Sequence, residues 1–176
     1  ERLREDMRRM IATARDRVFP ALVHIHVVTT MHFGGKETKG ASVGSGTIIS
    51  REGHVITNHH VVDSGTRFKV TMADKQEIDA ELVGDDPLTD LAVLKINVSQ
   101  LKDPSSLAVA EFGDSDELQV GDTVMAMGSP FALSRSVTLG IVSNTERVFA
   151  GGMGGDEIDE FESDRGSGIF TRWIQH

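Results

Sequence analysis

From Ala21 to Ile96 the apolar residues recur at every second position, in short runs separated by turn residues. Successive side chains of a strand point to opposite faces. In Ala21–Val28, therefore, Ala21, Val23, Ile25 and Val27 share one face, while Leu22, His24, His26 and Val28 share the other. The same pattern predicts strands at Gly46–Ile49, His54–Thr57, Arg67–Met72, Glu77–Val83 and Leu91–Ile96. Between them stand the turn signals Arg51-Glu52-Gly53, Asp63-Ser64-Gly65 and Ala73-Asp74-Lys75. Short strands at regular spacing point to an all-β fold built on a small antiparallel barrel. No strand alternates with a long helix, which argues against a nucleotide-binding α/β sheet.

The period differs at the front. Leu3, Met7, Met10, Ile11, Ala14 and Val18 fall at helical spacing with charges between them. Pro20 stops that helix, so residues 1–17 form a short amphipathic helix that packs on the domain or contacts another subunit. The first barrel is expected over 18–108, with Leu101–Ser106 as a connector, and a second, partial set of strands over 109–176. That set comprises Thr123–Met127, Ser136–Val142 and Thr171–Gln175, too few to close a barrel. Phe149 to Gly168 is glycine-rich and acid-dense, the composition of a solvated loop, and its spacing matches no EF-hand.

Composition removes several functions. The chain carries 27 acidic against 18 basic residues and a formal charge of −9, which disfavours a nucleic-acid partner. It has no cysteine, so disulfides, thiol nucleophiles and zinc–thiolate sites are excluded together. No apolar run is long enough for a transmembrane helix. The charged opening Glu1-Arg2-Leu3-Arg4-Glu5-Asp6 shows no signal peptide and predicts a trimmed or processed start. Nothing in the pattern calls for a cofactor or a metal.

Two segments carry chemistry. In Gly53-His54-Val55-Ile56-Thr57-Asn58-His59-His60-Val61-Val62 a strand ends and delivers a histidine onto a turn. A general base belongs at such a rim, between buried support and an open cleft. In Asp85-Asp86-Pro87-Leu88-Thr89-Asp90-Leu91-Ala92-Val93-Leu94 an aspartate stands just before an apolar strand. A partly buried carboxylate bonded to imidazole Nδ1 fixes its tautomer and stabilises the imidazolium. On this chemistry alone, a histidine and an aspartate in turns are usually structural or merely solvated residues of ordinary polar turns.

The wording of the segments adds to this. Thr57-Asn58-His59-His60-Val61-Val62 resembles the histidine motif of the HtrA/Deg serine proteases, and Asp86-Pro87-Leu88-Thr89-Asp90-Leu91-Ala92 resembles that family's aspartate motif. The resemblance extends, in order, to Val43-Gly44-Ser45-Gly46-Thr47-Ile48-Ile49, Phe112-Gly113-Asp114-Ser115-Asp116, Val120-Gly121-Asp122, Gly128-Ser129-Pro130-Phe131 and Val137-Thr138-Leu139-Gly140-Ile141-Val142-Ser143. It covers roughly residues 17–176 and weakens only in the acidic loop. It implies a trypsin/chymotrypsin-like double antiparallel β-barrel whose second barrel is truncated here. It also implies His60 as general base and Asp90 as its orienting carboxylate, with His59 at a variable position and left unassigned. The implied activity is ATP-independent endoproteolysis of unfolded or damaged polypeptides, by a homo-trimer or higher oligomer in the periplasm or cell envelope. A C-terminal PDZ domain is implied for the full-length protein.

One departure stands out. The family's Gly-x-Ser-Gly-Gly segment, which holds the nucleophile and the oxyanion-hole amides, is not found in the sequence, so no nucleophile is assigned. Two other roles then compete with hydrolysis: a chaperone-like polypeptide-binding module, and a regulatory partner of a full-length relative. Edges at Ser136–Val142 and Thr171–Gln175 would be left unpaired, with Ile141, Trp173 and Ile174 uncovered, and residues 1–176 alone are expected to be poorly soluble or loosely packed in their second half. Other serines do not fit. Ser45 belongs to a strand-opening motif, Ser115 is followed by acids that would oppose an oxyanion, and Ser167 has no motif around it. Asp63-Ser64-Gly65-Thr66 imitates an aspartic-protease motif, but a polar turn explains it. His24 and His26 share a strand face as two metal ligands would, without an evident third. Phe149–Phe170 is a candidate regulatory loop.

Overall fold

The computed structural model describes residues 1–33, 36–131, 134–148 and 172–175. Six antiparallel strands form a closed barrel: β1 (Leu22–Phe33), β2 (Lys36–Ile48), β3 (His54–Thr57), β4 (Gly65–Thr71), β5 (Glu77–Asp86) and β6 (Leu91–Ile96). Their spatial order is β1-β2-β3-β6-β5-β4, and pairing of β1 with β4 closes the ring. Closure removes the exposed edges that an open sheet would present.

Alternation fills the interior. Val23, Ile25 and Val27 of β1 are buried, as are Ala92, Leu94 and Ile96 of β6. The opposite face of β1 is also enclosed near its start, since Leu22 and His24 are buried. Gly53 makes the turn into β3 with φ +90°, and a Cβ there would lie 2.9 Å from the Ile96 carbonyl oxygen. That site admits no other residue without strain.

Strands β3 and β6 run between the residues expected from the pattern. Strands β1 and β2 extend further, as one hairpin paired from Leu22↔Thr47 to Phe33↔Lys36. Beyond Val28 this hairpin carries Thr29, Thr30, Lys39 and Gly40, so no apolar period marked it. Strand β5 continues past Val83 because its register shifts between Leu82 and Gly84. This bulge brings Asp85 opposite Ala92 and Asp86 opposite Leu91.

The helix α1 spans Arg2–Val18, and none of its residues is buried. Leu3, Met7 and Met10 are exposed, whereas Ile11, Ala14 and Val18 are half-buried, so its apolar side is open mainly toward the front of the helix. After the barrel, 3-10 turns at Val98–Gln100 and Pro104–Ser106 lead Leu107 back into the core, and Ala110 N–H donates to the Ile48 carbonyl. The remaining strands are β7 (Thr123–Phe131), β8 (Ser134–Ile141), β9 (Asn144–Val148) and β10 (Arg172–Gln175). They pair as β7–β8 and β9–β10, and do not close among the described residues. Strand β9 was not expected from the sequence. Ile141 and Ile174 are exposed, while the surroundings of Trp173 lie outside the described side chains. The acidic loop, with the candidate regulatory segment and Ser167, lies outside the described residues.

Candidate active site

Strand β3 ends at Thr57, whose hydroxyl donates to the Ser45 carbonyl and so ties the strand end to β2. Asn58, in extended conformation, opens the one-turn helix α2 (His59–Val62). Val61 and Val62 enter the core, which fixes the turn from beneath and leaves the histidines above it. Gly44 permits this approach. A Cβ at position 44 would lie 2.5 Å from Val61 Cγ1 and 2.7 Å from Cγ2. Gly44→Ala is therefore expected to push α2 outward and to cost about 1–3 kcal/mol. Thermal melting checks this, and Val61→Ala in the same chain should recover part of the loss.

Asp90 ends the turn before β6, with φ +55°. A non-glycine residue seldom adopts this left-handed conformation, although aspartate tolerates it better than most. Here it aims both the carboxylate and the carbonyl at α2. The carboxylate is buried, with 8% of the side chain exposed, against 54% for His60. His60 Nδ1 lies 2.7 Å from Asp90 Oδ2, and the His60 backbone N–H donates to Oδ1 at 2.9 Å. Asn58 Nδ2 donates to Oδ2 and to the Asp90 carbonyl, both at 3.1 Å. The His59 backbone N–H donates to the same carbonyl at 3.1 Å. A buried carboxylate is costly unless it is well hydrogen-bonded, and this one accepts three hydrogen bonds.

The turn itself is held by Asp86, which accepts from Leu88 N–H at 3.0 Å and from the Thr89 hydroxyl at 2.9 Å. Asn58 and Asp86 thus support the pair. Both stood in the motifs, but polar support of this kind has no periodic signal. Another contact was not anticipated: His59 Nδ1 lies 2.6 Å from Asp85 Oδ2, made possible by the bulge in β5.

Because an ionised carboxylate accepts, His60 Nδ1 carries its proton, and the lone pair falls on Nε2. An imidazole in that tautomer can take a proton from a nucleophile, and the carboxylate behind it stabilises the resulting cation.

The other candidates sit elsewhere. Ser45 lies in the β2 ladder opposite His24. Ser115 opens a short 3-10 turn capped by Asp114. Asp63 and Ser64 form the turn after α2, and Asp63 N–H donates to the His59 carbonyl. His24 and His26 contact edge to face with ring centroids 4.4 Å apart. No group of three or more potential metal ligands occurs among the described residues. No helix there is long and apolar enough to cross a membrane.

Burial, foremost, and neighbouring His24 hold His26 below its ordinary value of 6.5, while Glu77 opposes and Lys69 adds to the shift. The unfolded chain therefore binds this proton at higher pH than the folded one. Stability should fall as pH drops through about 6.5 toward the lowered value. In thermal melts between pH 7.5 and 5.5, His26→Gln should flatten that decline.

The family described as "Trypsin-like peptidase domain" matches residues 44–170. This chain belongs to that family. Its relatives are of the HtrA/Deg type. It is 48% identical over 109 residues to a protein of Brucella suis named "Probable periplasmic serine endoprotease DegP-like", covering 62% of this chain and 20% of that one. A protein of the same name from Pseudomonas fulva is 43% identical over 110 residues, covering 62% and 22%. Among solved structures, the HtrA-type protease AlgW with a tripeptide superposes with a TM-score of 0.70 at 34% identity, covering 93% of this chain and 44% of that one. The chain thus spans about a fifth of the length of the curated relatives it matches.

Proposed function

We propose that this trypsin-like chain serves an ATP-independent serine endopeptidase of the HtrA/Deg type, acting on unfolded or damaged polypeptides. His60 is its general base and Asp90 its orienting carboxylate. The observation that carries this reading is the contact of 2.7 Å between a half-exposed imidazole and a buried carboxylate at the barrel rim. The attacking serine comes from a Gly-x-Ser-Gly-Gly segment of the full-length protein. Its hydroxyl gives a proton to His60 Nε2 as its oxygen adds to the peptide carbonyl. His60 then passes that proton to the leaving amine.

The relatives are named periplasmic, which supports a periplasmic site of action. The neighbour AlgW was solved with a tripeptide and with a decapeptide, in keeping with a peptide-binding function of the full-length protein. The exposed apolar residues Leu3, Met7 and Met10 of α1 accord with a homo-trimer or higher oligomer. Hydrolysis of unfolded casein by the full-length protein without ATP tests the reading. Turnover that His60→Ala abolishes supports it. Polypeptide binding without turnover would favour a chaperone-like module instead.

A further inference from the structure

We propose that His59 and Asp85 form a second histidine–carboxylate couple that holds the turn carrying His60 in register, making both positioning residues. This inference rests on the peptidase reading of the site above.

The couple closes a loop. Asp90 is tied to α2 by the N–H groups of His59 and His60 and by Asn58. Asp85, at the other end of the same segment, is tied to α2 by the His59 ring at 2.6 Å. Both ends of 85–90 therefore grip the same single helical turn. The two grips also rest on different strands. Ala92 of β6 pairs with Thr57 on one side and with Asp85 on the other, so His59 reaches across β6 to β5.

Such a tether matters because α2 is otherwise held from below by Val61 and Val62 and on one side by Asp90. It is four residues long, and its N-cap makes no side-chain capping bond. His60 is too exposed to be steered by packing, so apart from its bond to Asp90 its imidazole follows the turn beneath it. A small rotation would move Nε2 while leaving Val61 and Val62 buried. Misplacing a catalytic group by a fraction of an ångström to 1 Å costs rate rather than binding.

The couple is not a source of fold stability. The side chains are 21% and 32% exposed, and ion pairs with this degree of solvent access add little. Acceptance by Asp85 puts a proton on His59 Nδ1. Asparagine can offer an amide N–H near the same place, whereas alanine offers nothing.

The test uses the full-length protein. His59→Ala and Asp85→Ala should each lower kcat about tenfold with KM changed less than about twofold. The double variant should be no slower than either single one, as coupled partners require. His59→Asn should recover most of the rate, and the melting temperature should move by no more than about 2 °C in any variant. Independently of activity, the proton resonance of His60 Nδ1–H should broaden in both alanine variants and stay sharp in His59→Asn. An unchanged kcat, multiplying effects in the double variant, or an unaltered His60 resonance would overturn the proposal. Turnover surviving His60→Ala would instead overturn the peptidase reading, and the resonance would still decide the clamp.

Discussion

Asp90→Asn in the full-length protein should lower kcat about 10⁴-fold with little change in KM, although the substitution exchanges a single heavy atom. The reason lies in the direction of three hydrogen bonds. Asp90 Oδ1 accepts the backbone N–H of His60, a donor that cannot reverse. Oδ2 accepts from His60 Nδ1 and from Asn58 Nδ2. An asparagine must keep its oxygen toward the fixed backbone donor, which places its NH₂ group where Oδ2 was. Asn58 cannot turn its amide to suit, because Nδ2 also donates to the Asp90 carbonyl.

Only the His60 imidazole can respond. It does so by accepting at Nδ1, which moves its proton to Nε2 and removes the lone pair that would deprotonate a serine. The site becomes a wrong-tautomer site with nearly unchanged geometry. Steady-state hydrolysis of unfolded casein measures the rate. Nitrogen NMR of the ring checks the cause, with the proton on Nδ1 in the parent protein and on Nε2 in Asp90→Asn.

The second large effect is on folding. Leu94→Ala should destabilise the barrel by about 2–5 kcal/mol, by loss of buried methyl groups and by the cavity left behind. Leu94 is completely buried in β6, opposite Val55 of β3 and Leu82 of β5. Its strand lies between the strand that delivers His60 and the strand that precedes Asp90. A domain of this size is stable by only about 5–15 kcal/mol in all, so the loss is a large part of the total. The melting temperature should fall by about 5–15 °C. Leu91, in the same strand but 46% exposed, is the control. Leu91→Ala should stay within about 0.5 kcal/mol of the parent. Equal effects at the two positions would show that β6 does not line a closed interior.

Much of this was legible in the sequence, for identifiable reasons. His54–Thr57 and Leu91–Ile96 were bounded correctly because each has one face in the core, and burial imposes the alternation. The outer half of the β1–β2 hairpin and all of β9 were not. Backbone pairing holds them, and pairing leaves no apolar period in residues such as Asn144-Thr145-Glu146. The Leu82–Gly84 shift in β5 is marked in the sequence by Gly84 alone, and with the strand ended at Val83 the meeting of Asp85 with His59 went unseen. His60 and Asp90 were singled out by their motifs, and the structure brings their side chains together. The support given by Asn58, Asp86 and the left-handed backbone at Asp90 is tertiary information.

In the proposed mechanism His60, oriented by Asp90, activates a serine for peptide hydrolysis. The most direct measurement is covalent labelling of the full-length protein by a fluorophosphonate, followed by mapping of the modified peptide. One labelled serine is expected, in a Gly-x-Ser-Gly-Gly segment, with labelling abolished by His60→Ala and strongly slowed by Asp90→Asn. Labelling at Ser45 or Ser115, or labelling that proceeds unchanged without the His60 imidazole, would contradict it.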